Sequence, residues 1–295
     1  MCWKARNGGA DDQMRAMVAL AALLAVPVAA GAKDLETTHL FGFTLGSDVN
    51  DVGEIEGESE TTGRFAKRAG SYSAIASELG LKFIPFENFS VEPVLGVAYH
   101  AISGVPGLAD RRQGAFDTLS LELRYRVLDR EKAPFGLTLG VDPHWGRVDE
   151  TSGEPVDRYG ADLLMIIDRE ILADRLFGAF NLVYQPEGSR SRIAGDWQHQ
   201  SDLAVSAALS AQVRPGVLIG VEARYLRGYD GLALDTLTGH ALFVGPTFYA
   251  KFNERLWMSA AWSMQVMGRA ANDAGSLDLT NFERHQAVLR FGYNF

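Results

Sequence analysis

Apolar and polar residues alternate along most of this chain with a period of two, the signal of a strand with one face in an apolar phase. The clearest run is Gly114 to Leu128. There Leu119, Leu121, Leu123, Tyr125 and Val127 alternate with Thr118, Ser120, Glu122, Arg124 and Arg126. The same pattern predicts about twelve strands. The first is about His39 to Ser47, with Phe41, Phe43 and Leu45 on the apolar face. Others follow at about Tyr72 to Phe83, Phe89 to Ile102, Pro134 to Val148, Arg158 to Asp168 and Asp174 to Gln185. Four more lie at about Asp202 to Val213, Val217 to Tyr229, His240 to Phe252 and Leu256 to Gly268. In the last, Glu283 to Phe295, Ala287, Leu289, Phe291, Tyr293 and Phe295 oppose Arg284, Gln286, Arg290 and Asn294.

The connections alternate in length. Arg214 to Gly216 and Asn253 to Arg255 are short turns by composition. Asp48 to Ser71, Pro186 to Ser201 and Arg269 to Phe282 are long and polar. Short turns on one side and long loops on the other are the arrangement of a membrane barrel. A sandwich has no reason to alternate so regularly. The closing strand resembles the C-terminal signal strand of bacterial outer-membrane β-barrels, whose last residue is typically Phe. The expected fold is therefore all-β: a transmembrane antiparallel up-and-down barrel of about twelve strands. The resemblance implies outer-membrane lipid and lipopolysaccharide as surroundings, and recognition of Phe291, Tyr293 and Phe295 by the barrel-insertion machinery. The alternation of short turns and long loops places both termini in the periplasm, and the resemblance reaches no named subfamily.

Composition agrees. The 295 residues include 31 Gly and 10% aromatics, as expected where every second position is polar or small. No apolar run of about 18 residues follows the N-terminus, so helical spans are excluded. A formal net charge of -9 argues against nucleic acid as a partner. Cys2 is the single cysteine and falls in a segment expected to be removed, which leaves no disulfide. Residues 1–32 read as a signal peptide: a basic start at Met14-Arg15, an apolar core from Ala16 to Ala30, and a small-residue cleavage site at Ala30-Gly31-Ala32. The stretch before Met14 reads as an upstream start. Residues 33–295 form the expected barrel. Aromatics near strand ends, Trp257 among them at one rim and Tyr72, Trp145, Tyr159 and Tyr229 at the other, fit two interfacial girdles.

Charge on the lipid face costs about 2–4 kcal/mol near the midplane, so parity assigns the charged positions to the lumen. These are Glu78, Lys82, Glu92, His100, Glu122, Arg124, Arg126, Asp142, His144, Arg158, Asp162, Arg175, Glu222, Arg224, Lys251, Arg284 and Arg290. They imply a channel for passive diffusion of small hydrophilic solutes or ions, with Arg124, Arg126, Arg224 and Arg290 as an anion-favouring stripe. The alternative is a closed structural or adhesive barrel whose lumen is filled by paired charges and whose outer loops do the work. A lipid hydrolase would need a His and a Ser together at the outer rim, where His285 and Ser276 stand at unmatched spacing. Asp142 and His144 share one wall with no facing pair, so a protease reading has little support. The acidic run Asp48 to Glu60 lacks the donor spacing of a calcium loop. Neither a cofactor motif nor a metal constellation is present in the sequence. The basic clusters Arg111-Arg112 and Arg190-Ser191-Arg192 fall in predicted outer loops, at the level of lipopolysaccharide phosphates.

Overall fold

The computed structural model describes residues 35–295. The expected signal peptide and the Met14 start lie outside the described residues. Twelve strands run β1 (Ile55–Phe65), β2 (Ser71–Phe86), β3 (Phe89–Ser103), β4 (Arg111–Leu128), β5 (Gly136–Val148) and β6 (Pro155–Leu172), followed by β7 (Leu176–Ser191), β8 (Trp197–Arg214), β9 (Val217–Asp230), β10 (Thr236–Lys251), β11 (Leu256–Ala270) and β12 (His285–Asn294). Each pairs antiparallel with its sequence neighbours, and β1 pairs with β12 from Glu56↔Asn294 to Phe65↔His285. Closure leaves no free edge, as a lipid-exposed sheet requires.

The apolar faces point out. Leu121, Phe180 and Phe291 are 40%, 38% and 43% exposed, whereas Arg124 and Arg290 are 6% exposed. A soluble fold would invert this. Outward Leu79, Leu95, Leu139, Leu163, Ile219 and Trp262 continue the belt around the wall. Short turns lie at the end where β1 begins and β12 finishes, called here the termini end; the longer connections lie at the loop end.

The first expected strand is corrected. Residues 35–54 form no barrel strand; they fold into the lumen at the termini end, with Leu40 and Phe41 fully buried. The strand that closes the wall lies inside the expected acidic loop. In β1, Glu56, Glu58 and Glu60 face inward, and Gly57, Ser59, Thr61 and Gly63 alternate with them on the lipid side. Small and hydroxylated outward residues hide such a strand from an apolar-face search. The first wall strand thus begins at Ile55. Three girdle aromatics are corrected as well: Tyr72, Tyr229 and Trp257 face inward and are 4%, 9% and 4% exposed.

Candidate functional site: a divided lumen

The inward segment packs where the wall itself is apolar. Leu40 and Phe41 sit among Phe177, Ala179, Ala208, Leu218, Tyr249 and Trp257, the inward residues of β7 to β11 nearest the termini end. Inside a barrel, such side chains would otherwise meet water, at about 1.5–3 kcal/mol for each large one. The segment turns tightly, with Leu40 N–H donating to the Thr37 carbonyl and Gly46 N–H to the Thr38 carbonyl, both at 3.1 Å. Gly42 has φ +80°, and a Cβ there would stand 2.7 Å from Ala261 Cβ. Only glycine fits both that conformation and that gap.

Its backbone has no ladder, so wall side chains satisfy it. Glu222 accepts from the N–H groups of Phe43 and Thr44 at 3.0 and 3.1 Å. Asn181 accepts from Leu45 N–H at 2.7 Å and donates to Leu45 O at 2.9 Å. Asp168 accepts from Ser47 N–H at 3.1 Å and from the Ser47 and Thr37 hydroxyls. Ser210 donates to Leu40 O at 2.9 Å, Thr138 to Ser47 O at 2.6 Å, and Arg290 to Gly42 O. The His39 ring stacks on Trp257 at 4.5 Å and meets Glu58 at 2.8 Å. Residues 35–54 are therefore a fitted plug.

Beyond the plug the lumen opens into a cavity of about 690 Å3 that reaches the loop end. Thirteen carboxylates line it against four arginines, Arg64, Arg124, Arg158 and Arg290. Three carboxylate pairs stand directly opposite one another across neighbouring strands: Glu60↔Glu78, Glu92↔Glu122 and Asp142↔Asp162. Like charges so placed are destabilising. Several are offset: Arg124 bridges to Glu122 at 2.7 Å, Arg290 to Glu60, and Lys82 to Glu56, Glu58 and Glu92. Asp162 accepts from Gln185 at 2.8 Å and has His144 at 3.9 Å. The remaining excess is negative.

The mouth is narrowed by the β5–β6 turn, which folds inward. Glu150 meets Arg64 at 2.6 Å and also Arg158. Carbonyls of the same turn accept from Tyr72 at Thr151 (3.0 Å) and from Arg111 at Gly153 (2.9 Å), and Glu150 O meets His100 Nε2 at 3.0 Å.

Of the residues expected to line a pore, Glu78, Glu92, Glu122, Arg124, Asp142, His144, Arg158, Asp162 and Arg290 line this cavity. Lys82, His100, Glu222 and Arg224 are buried on the inner side among its ion pairs, mouth contacts and plug contacts. Lys251, last in β10, and Arg126, whose Nε donates to Asn88 Oδ1 at 2.9 Å, stand at the termini-end rim. Arg175 and Arg284 are corrections: both lie outside the strands and are exposed, because the two-residue period stops where the turn or loop begins. The expected anion stripe does not form. Arg224 lies 3.5 Å over the Phe43 ring and donates to Gln286, while Arg124 and Arg290 are paired with carboxylates.

The barrel is similar to the COG4313 outer membrane channel of Pseudomonas putida F1, with 15% identity over 84% of this chain and 98% of that one, at a TM-score of 0.59. It is similar also to the beta domain of the Bordetella autotransporter Brka, with 13% identity over 83% of this chain and 100% of that one, at a TM-score of 0.51. At such identities the likeness concerns the fold, and the expected outer-membrane barrel architecture is the architecture found. No curated protein matches the chain. The model of a family described as one of unknown function, DUF6662, matches residues 33–295.

Proposed function

The chain belongs to the DUF6662 family, and for it we propose passive passage of small hydrophilic cations or positively charged solutes across the outer membrane, through a lumen closed at rest by residues 35–54. The acidic cavity ending on the plug carries this reading. Fixed carboxylates in a water-filled, low-dielectric tube concentrate cations and repel anions. The plug is held by side-chain bonds and one apolar pocket, with no ladder to break. Each of those bonds can be exchanged for water. The proposal sets the termini end in the periplasm, with short turns there and long loops outside. It also keeps Phe291, Tyr293 and Phe295, exposed at that end, as the face offered to the insertion machinery.

The test is planar-bilayer recording on the full chain and on a chain lacking residues 35–54. The shortened chain is expected to conduct with a reversal potential showing cation preference, and the full chain to stay closed or flicker. Silence of both, or preference for anions, would sink the proposal. Silence of both would favour the closed barrel acting through its loops. The hydrolase reading has less support: His285 lies against Trp262 at 5.5 Å, and Ser276 gives its carbonyl to Gly268 N–H.

A further inference from the structure

The wall is not uniformly knitted. The β3–β4 ladder runs to Ile102↔Arg111, but the β4–β5 ladder stops at Thr118↔Gly146. The stretch of β4 beyond Thr118 therefore has a partner on one side and none in β5. A notch opens on the outer surface between these strands, at the loop end of the apolar belt. Its floor is apolar: Phe116 and Trp145, with ring centroids 5.6 Å apart, and Pro155. Its rim is basic. Arg147 sits 5.3 Å from the Trp145 ring centroid, and Arg192 comes in from the connection after β7.

Both guanidiniums reach toward one carboxylate, Asp157, at 3.5 and 4.0 Å. One carboxylate neutralises one of them, so a positive charge remains over an apolar floor. Neither contact is short, and the two arginines are 34% and 46% exposed. Arg111, expected from sequence to face outer phosphates, instead points inward to Gly153 O. Arg112 and Arg190 are exposed and donate to Tyr99 Oη and Gly195 O, so the cations at the notch itself are Arg147 and Arg192.

We propose that this notch binds a phosphate-bearing glycolipid of the outer leaflet, the lipid A part of lipopolysaccharide. One phosphate lies between Arg147 and Arg192, and one acyl chain lies on Phe116 and Trp145. Planar guanidinium forks match phosphate oxygens. An acyl chain there also covers a floor that the gap in the ladder leaves open to the bilayer. The assignment does not depend on conduction, but it rests on the orientation proposed above, with the loop end facing outward.

Native mass spectrometry of the full chain in detergent micelles tests it, where orientation in a membrane plays no part. Added probes are lipid A, dephosphorylated lipid A and phosphatidylglycerol. Wild type is expected to retain one lipid A through detergent release and to retain the dephosphorylated form at least tenfold more weakly. The Arg147→Ala/Arg192→Ala chain is expected to lose lipid A by at least tenfold, and Phe116→Ala to weaken it with both arginines present. Heat-modifiable gel mobility verifies that each variant is folded. Equal lipid A retention by the double variant overturns the proposal, as does retention of phosphatidylglycerol as tight as that of lipid A.

Discussion

Phe177 and Glu187 stand ten residues apart on β7 and face the same lumen. Around Phe177 the inward positions are Ala179, Ala208, Leu218, Tyr249 and Trp257, and a folded segment fills the space between them. Around Glu187 they are Asp162, Gln185, Gln200 and Asp202, and the space is open. Backbone geometry is the same in both halves, so the difference lies in what the inward side chains require. Apolar walls in a tube this wide are stable only when something dry covers them. Carboxylate walls are stable only when water, partners or cations reach them. The barrel thus has one half built to be closed and one built to be wet, and the plug belongs to the first.

The largest expected effect comes from removing that distinction. A chain without residues 35–54 is expected to close still, because the β1–β12 ladder starts at Glu56↔Asn294, after the plug. It is expected to change from closed to conducting in bilayer recordings. If it stays silent, the channel reading fails, and the open half of the lumen is no path for ions.

Most of the wall was legible in the sequence, and the plug was not. Eleven of the expected strands correspond to β2 to β12, because Leu, Val and aromatic residues alternate with polar ones wherever lipid touches the wall. β1 is not legible in the pattern because Gly57, Ser59, Thr61 and Gly63 give its outward face no apolar signal. Residues 39–47 carried the signal instead, since Phe41, Phe43 and Leu45 alternate as a lipid-facing strand would. A periodic apolar face says that something apolar is met, not that it is lipid. A clue was present: Val217-Leu218-Ile219 and Leu256-Trp257-Met258 are apolar on both faces, which a water-filled lumen does not call for. Those two-sided runs mark the pocket of the plug. The acidic positions that charge parity turns inward do lie on the inner side of the wall, whereas Arg175 and Arg284 lie beyond strand ends, where parity no longer applies.

A smaller effect is expected from loosening the plug without deleting it. Gly42→Val forces a β-branched side chain into a positive-φ position and against Ala261. Plug occupancy is expected to fall, seen as frequent openings of the same unit conductance as the shortened chain. An unchanged closed state would show that the turn at Gly42 is not what seats the plug.

Selectivity should respond less. In the shortened chain, Glu78→Gln with Asp142→Asn removes two of the thirteen carboxylates. In a water-filled lumen each charge acts on a passing ion by about 1 kcal/mol or less. The cation-to-anion permeability ratio is therefore expected to drop roughly twofold to fivefold, read from the reversal potential in a salt gradient. An unchanged ratio would mean that these carboxylates do not face the conducting path.

The smallest effect lies outside the lumen, at the loop-end rim. Arg68, in the β1–β2 connection, pairs with Asp273 in the β11–β12 connection. The hydrogen bond from Arg68 holds the Asp273 carboxyl below the ordinary aspartate range. A carboxylate with a depressed folded-state pKa adds stability that is fully present above the unfolded value and is lost as pH falls through the folded one. Both groups are exposed to solvent and salt, so the pair ties two loops together and adds little to the barrel. Hydrogen exchange of residues 271–284 is thus expected to be slow near neutral pH relative to Asp273→Asn, with that difference vanishing below the ordinary aspartate range, while thermal stability barely changes. A large change in thermal stability would show that the rim supports the wall, and that the contrast between a closed half and a wet half leaves out a third structural layer.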